Sequence, residues 1–471
     1  MKNSTVMVAV IVAICAMSCT KQDVNTTLPQ VQQLNKGISR EIKDLGKGDV
    51  MIVASRYVEE KHTKVGGIKT VEDVKEIRDD DGNVTMYAVN FAGDNGYLII
   101  SATKKFYPIL ADVERGKYRE EEKLTGASIL MEEYQNSIKY CKSLPKDSLA
   151  RFRTLWSKYE EIPSVERIEN PRTKSGENEL MELVAGSVSQ WISEGYDVYP
   201  LSEGAFHTGL PASVYNQWYN IARTESHPNY DFEENCFILR KSTLTVSQNG
   251  PYIFSKWNQL GAYNNSIPFY QGNSLPVGCA VIAAGQIMRY HEWPVSFQWN
   301  MMPDILDNSI DGQTTLSNFL YSLGLAMGCN YSQGETNVNI SGVQHTLESY
   351  NYSGEVRSHN SNTVADNIIL GLPVYMRGSN NQNEIGHAWV CDGLKKELFG
   401  QIFELKIIST YNYPLQFISP CNNYYEPEST LQYFRMVFGN GGTDDGWYLD
   451  NSIPWQYANV RQDVVGICPS N

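Results

Sequence analysis

The sequence predicts an α+β chain, and three features carry that expectation. Met86-Tyr87-Ala88-Val89-Asn90-Phe91 alternates as a half-buried strand does, and Gly93-Asp94-Asn95-Gly96 turns it into a returning strand, Tyr97-Leu98-Ile99-Ile100-Ser101. Leu130, Tyr134, Ile138 and Cys141 then recur at helical spacing until Pro145 breaks the run, and Leu149, Phe152, Trp156 and Tyr159 make a second apolar stripe. From about Leu180 to the C-terminus the chain is rich in Tyr, Trp, Asn and Gly with few charge runs, as one large α+β domain would be.

The 471 residues are 42% hydrophobic and 20% charged, which places the chain among ordinary globular proteins of two or three domains and excludes collagen-like, coiled-coil and disordered classes. Thirty-nine Lys and Arg against 53 Asp and Glu leave a formal charge of −14. Such a surface repels phosphates, so a nucleic-acid partner is not expected. The nine cysteines are too sparse for a disulfide scaffold and form no CxxC pair for zinc. Seven lie beyond the leader, an odd number, so at least one thiol is free or pairs with another chain.

The N-terminus reads as an export signal. Lys2 precedes a short apolar run from Met7 to Met17, too short for a membrane span of roughly 20 residues. Ala16-Met17-Ser18-Cys19 resembles a bacterial lipobox in which Cys19 becomes the lipidated terminus, although Ala16 stands where Leu is usual. Simple secretion is the alternative. A polar tether follows. Farther on, Glu160 to Asn178 is irregular, with Pro163, Pro171 and Arg172-Thr173-Lys174-Ser175-Gly176-Glu177, and reads as an exposed linker open to proteolysis.

The chemistry concentrates in three stretches. In Pro276-Val277-Gly278-Cys279-Ala280, proline and glycine favour a loop, whereas Ala280 to His291 favours a helix ending before Pro294. Cys279 is therefore expected at a helix N-terminus, where free N–H groups and the helix dipole lower a thiol's pKa from about 8.5. Gly386-His387-Ala388-Trp389-Val390-Cys391-Asp392-Gly393 reads as a strand ending in a turn, with His387, Trp389 and Cys391 on one face. A histidine so placed can act as base to a distant cysteine. Taken alone, Cys279 could simply fill a core and His387 could be a core histidine bonded to backbone. In Lys256-Trp257-Asn258-Gln259, the Gln259 amide can donate to an oxyanion together with the Cys279 backbone N–H. His207, His227, His291, His345 and His359 are scattered without metal-ligand spacing, and Asp444-Asp445-Gly446 reads as a turn, so neither a metal nor a cofactor is expected.

In order, Trp-x-Gln, Gly-Cys and Gly-His-Ala resemble the streptopain family of bacterial cysteine peptidases, relatives of papain in fold. The segments are Lys256 to Asn264, Val277 to Pro294, and Gly386 to Gly393. Asn90-Phe91, Gly96 to Ser101 and Pro108-Ile109-Leu110 are similar to the family's inhibitory propeptide. The resemblance implies a papain-like two-part catalytic domain, a helical part plus a twisted antiparallel sheet, behind a small α+β prodomain. It also implies a division into a signal peptide over 1–19, a tether over 20–48, a prodomain with helical extension over 49–160, a linker with the activation site over 161–179, and the peptidase domain over 180–471. The implied protein is an exported zymogen, lipid-anchored at an outer membrane or cell surface or else secreted. It would hydrolyse proteins and peptides through Cys279 and His387, with its own prodomain as inhibitor and with the membrane met only through the lipid.

One region departs from the family pattern. Where Asn-Trp-Gly-Trp-Gly-Gly is usual, this chain has Val437-Phe438-Gly439-Asn440-Gly441-Gly442, followed by Asp445-Gly446-Trp447-Tyr448. Val437 cannot accept an N–H bond, so Asn440 is the candidate to orient His387, with Gly278, Trp389 and Phe438 as site walls. One other reading stays open on this departure, a catalytically degenerate surface lipoprotein that binds peptides or a partner. A third reading, a Cys-His transferase acting on Gln side chains, shares the nucleophile but not the Trp-x-Gln and propeptide matches.

Overall fold

The computed structural model describes residues 38–39, 41, 43–62, 69–119, 126–145, 150–160, 177–226, 235–307, 309–379, 386–408, 415–450 and 460–470. Cys19, the signal segment and most of the linker lie outside them. Helix α1 (Lys47–His62) leads into four strands, β1 (Val71–Arg78), β2 (Val84–Phe91), β3 (Tyr97–Ser101) and β4 (Ile109–Val113), then helices α2 (Gly126–Ser143) and α3 (Ala150–Ser157). The expected hairpin is β2–β3, in register from Met86↔Ser101 to Asn90↔Tyr97. Leu130, Tyr134, Ile138 and Cys141 form the buried face of α2, and Phe152, Trp156 and Tyr159 are buried as well.

The tether is shorter than expected. Ile38 is 1% exposed, its N–H bonds the Tyr159 carbonyl, and Leu45 is buried, so the chain is already packed before α1 begins. Apolar side chains at these positions gain more from the core than from solvent, roughly 1.5–3 kcal/mol for each full burial.

Helix α4 (Glu177–Ser193), strand β5 (Asp197–Pro200), helix α5 (Ala212–Glu225) and strand β6 (Cys236–Asn249) come next. They are followed by α6 (Cys279–His291), α7 (Ile310–Met327), α8 (Ile340–Ser349), β7 (Tyr352–Ser358), α9 (Ser361–Ile369) and β8 (Val374–Ser379). The remaining strands are β9 (Gly386–Ile408), β10 (Phe417–Ile418), β11 (Tyr424–Val437), β12 (Gly446–Leu449) and β13 (Val460–Pro469).

Among the described residues, the thirteen strands belong to one antiparallel sheet whose main path runs β1-β2-β3-β4-β12-β11-β9-β8-β13-β7. The leading domain is therefore joined edge to edge with the later one, through Ala111↔Tyr448, Asp112↔Trp447 and Val113↔Gly446. The two also share a core, in which Leu98, Ile109, Leu130 and Trp156 pack with Trp389, Met436, Phe438 and Trp447. A second core gathers α6, α7 and α8 against Ala388, Val390 and Val437 on the other side of the sheet. Residues 177–249, with the far halves of β9 and β11, build two smaller cores around Trp218 and Trp191. The region after Leu180 is thus not packed around a single core.

One expectation fails locally. Asp392-Gly393 is not a turn but a bulge inside the 23-residue β9, where the pairing slips between Met436↔Cys391 and Arg435↔Gly393. The buried Asp392 carboxylate explains the local signal. It accepts from Arg435 Nη1 at 2.8 and 2.9 Å and from the N–H groups of Tyr252 and Ile253. Arg435 reaches on to Glu114 at the end of β4 with two further bonds of 2.9 Å, tying the leading domain to the later strands of the sheet.

Candidate active site

The helical part presents Cys279 at the first turn of α6. Gly278 caps the helix with φ 104°, and a Cβ there would fall 3.1 Å from the Thr336 carbonyl oxygen, so both conformation and space call for glycine. The preceding Val277 is pinned on both sides. Its N–H bonds the Gln259 carbonyl at 2.9 Å, and its own carbonyl accepts from the Tyr331 hydroxyl at 2.8 Å. Gln259 is thereby stitched beside the cysteine loop, with its side chain half-buried. Trp257 is fully buried, donates to the Pro303 carbonyl, and packs on α6, where Gly285 leaves room for its ring.

The sheet presents His387 at the second residue of β9. Its Nε2 lies 3.3 Å from the Phe438 carbonyl oxygen. A carbonyl can only accept, so Nε2 carries the proton and Nδ1 is left for sulfur. Burial pushes the Cys279 thiol up, but the His387 charge and hydrogen bond, with the N–H groups of Ala388 and Ala280, outweigh it and hold the thiol below its ordinary value. Burial pulls His387 down, and the Cys279 thiolate, a hydrogen bond to it and the Phe438 carbonyl bring it above its ordinary value. Each group favours the charged form of the other, which is the arrangement of a thiolate–imidazolium pair.

The group that orients the imidazole is not Asn440, as the sequence suggested, but the main-chain carbonyl of Phe438 two residues earlier. That carbonyl is itself held in place. Asp445, 1% exposed, accepts the Phe438 N–H at 2.9 Å through one oxygen and the Lys256 ammonium at 2.9 Å through the other. Lys256 directly precedes Trp257, whose carbonyl accepts from Gly441, so the oxyanion-side loop and the histidine-side loop are fastened to each other. The buried Phe438 ring backs the imidazole at 6.5 Å between centroids, and the buried Trp389 packs on Phe438 at 6.0 Å. Sequence reasoning missed Asp445 and Lys256 as supports, although Lys256 opens the Trp-x-Gln segment and Asp445 follows the region that departs from the family pattern.

The intact chain covers this site. Gly126, the first residue of α2, lies so close that a Cβ on it would fall 2.4 Å from Phe438 Cδ1 and 2.8 Å from His387 Cδ2. Among the described residues, no disulfide joins any of the seven cysteines and no cluster of metal-ligating side chains occurs. No described helix is long and apolar enough to cross a membrane.

A thiol and an imidazole set in mutual range, one on a helix N-terminus and one on a sheet, are the groups that a cysteine hydrolase uses. The model of the Peptidase C10 family matches residues 257–297 and 295–448, and that of the Spi protease inhibitor matches residues 43–138. Over these residues the chain carries the Peptidase C10 region of a cysteine-type endopeptidase, the region of the streptopain resemblance, with an inhibitor domain ahead of it. Among solved structures it is similar to a fragment of Prevotella intermedia prointerpain A bearing a cysteine-to-alanine substitution, at 12% identity and a TM-score of 0.42, over 85% of this chain and 99% of that one. It is also similar to the active wild-type interpain A cysteine protease of Prevotella intermedia, at 16% identity and a TM-score of 0.34, over 46% of this chain and 94% of that one. No curated protein matches the chain.

Proposed function

We propose that the chain is an exported zymogen whose catalytic residues are Cys279 and His387. The Cys279 thiolate attacks the peptide carbonyl carbon, and the oxygen takes up the negative charge. The Cys279 N–H, at a helix start where donors have no intrahelical acceptor, and the Gln259 side chain stabilise that oxyanion. His387 then gives its Nδ1 proton to the leaving nitrogen as the C–N bond breaks, leaving a thioester. Water, deprotonated by the now neutral imidazole, attacks the thioester, and the proton returns to the pair as the acid product and Cys279 separate.

The observation that carries the reading is geometric: Cys279 begins α6 beside His387, whose Nε2 is held by the Phe438 carbonyl so that Nδ1 is left for sulfur, and the opposed directions of the two pKa shifts agree with it. The Phe438 carbonyl supports it over a degenerate, binding-only lipoprotein, because the orienting partner thought missing at Val437 is supplied by the main chain. Amine incorporation into casein in place of hydrolysis would favour the transferase reading instead.

The leading domain acts as the inhibitor, with the backbone at Gly126 occupying the face of the imidazole that a substrate needs. Cleavage within 161–179 would free the domain to leave. Export through the leader, with Cys19 lipidated, places the enzyme at an outer membrane or cell surface. The test is hydrolysis of casein by the full chain before and after limited proteolysis. Activity should appear only after processing, and equal activity in both forms overturns the zymogen reading.

A further inference from the structure

The register sets three residues in one row across three neighbouring strands. His387 on β9 pairs with Gly378 on β8, and Gly378 pairs with Arg461 on β13. Directly paired residues point to the same sheet face. Adjacent strands lie about 4.8 Å apart, so Arg461 stands roughly 10 Å from His387 across a residue with no side chain. A Cβ on Gly378 would come 3.1 Å from the Trp389 ring, 3.4 Å from Arg461 Cγ and 3.4 Å from Ile129 Cγ2. Gly378 therefore floors a furrow walled by His387 and Arg461, with Trp389 beside it.

In the intact chain the inhibitory helix fills this furrow. Ile129 lies over Gly378, and one turn later Glu133 accepts a hydrogen bond from Arg461 Nη1 at 3.2 Å. Among the described residues, Glu133 is the one carboxylate that Arg461 meets. The Arg461 side chain is 13% exposed, its guanidinium carbon lies 5.8 Å from the Trp389 ring centroid, and its Nε is buried without a partner. Asp463, two residues on, meets His359 through Oδ2 at 2.9 Å, and its Oδ1, though buried, makes no hydrogen bond to Arg461. When the inhibitor departs, Arg461 keeps its position on the stack but loses its counter-charge, and a poorly solvated cation of that kind favours a replacement carboxylate.

His387 must reach the leaving nitrogen to protonate it, so the substrate segment after the scissile bond runs on the histidine side of the site. We propose that Arg461 is a specificity-determining residue of the processed peptidase, binding the carboxylate of an acidic substrate side chain on the leaving-group side. The Gly378 furrow takes an aliphatic side chain next to it. Ile129 and Glu133 of the inhibitor stand in for those two substrate groups. An extended peptide advances about 3.3 Å per residue, which puts the acidic residue two to three positions past the cut. The proposal rests on the peptidase reading above.

The test uses the full chain activated by limited proteolysis and internally quenched peptides that differ only in Glu, Gln or Lys at the second or third position after the cleaved bond. Glu should exceed Gln in kcat/KM by about tenfold at one of those positions. Arg461→Gln should bring the Glu-to-Gln ratio to about one, and Arg461→Glu should turn the preference towards Lys. The Glu-to-Gln comparison on the unaltered enzyme needs no variant, so misfolding of a variant cannot hide the answer. Cleavage with equal rates for Glu and Gln overturns this proposal alone, including when Arg461→Gln speeds activation, for Arg461 would then only latch the inhibitor. Absence of any cleavage after processing overturns the peptidase reading and this proposal with it.

Discussion

Gly126 at the start of the inhibitory helix rests against the imidazole of His387, with room for no further atom between them. The inhibitor thus touches the base of the reaction with main chain rather than with a side chain. A larger residue at 126 must either displace the Phe438 and His387 rings or lift the helix.

Gly126→Val tests that contact. Overpacking a filled site costs about 1–3 kcal/mol, and if the docking equilibrium absorbs it, the open form rises about 5- to 150-fold. The unprocessed variant should therefore hydrolyse casein at least about fivefold faster than the unprocessed parent, and the processed forms should match. Equal activity of the two unprocessed chains would place the inhibitory contact elsewhere.

Asp445→Ala should damage catalysis without touching substrate. It frees the Phe438 N–H and the Lys256 ammonium, so the carbonyl that holds His387 Nε2 loses its support. A misplacement of about 1 Å can cost about 10²-fold, so kcat should fall about 10- to 100-fold with little change in KM. Steady-state kinetics on one peptide, with circular dichroism to confirm folding, decide it.

The pH dependence follows from the two opposed shifts. The reactive pair needs Cys279 ionised and His387 protonated. Cys279 is lowered, so activity persists below the ordinary thiol range and fails as pH falls through the depressed thiol value. His387 is raised, so the alkaline limb lies above the ordinary imidazole range, where the proton for the leaving nitrogen is lost. A bell-shaped kcat/KM profile is expected. Because the thiolate helps hold His387 up, Cys279→Ala should move the imidazole titration, followed by NMR, to lower pH.

Much of the site could be read from local sequence, and the rest depends on contacts between distant segments. Cys279 at a helix start was legible because Gly278 and the small residues after it have few other uses, and His387 because its strand alternates cleanly. The Phe438 carbonyl was not, since a main-chain acceptor has no signature in residue type. The sequence offers only Asn440 there, a polar side chain two residues on. Asp392-Gly393 has turn chemistry but lies inside β9 as a bulge, because Arg435, 43 positions away, makes burial of the Asp392 carboxylate favourable. The leading domain was legible as a hairpin and helices, whereas its edge-to-edge pairing with β12 and the contacts of Gly126 and Glu133 exist only once the chain is folded.

The most direct measurement of the central claim is the rate at which iodoacetamide alkylates each thiol in the processed protein, followed residue by residue by mass spectrometry near neutral pH. Cys279 should react well ahead of half-buried Cys421 and Cys468, and should slow to their range in His387→Ala. If Cys279 reacts no faster than those thiols, or keeps its rate without the imidazole, the thiolate–imidazolium pair does not exist and the account is contradicted.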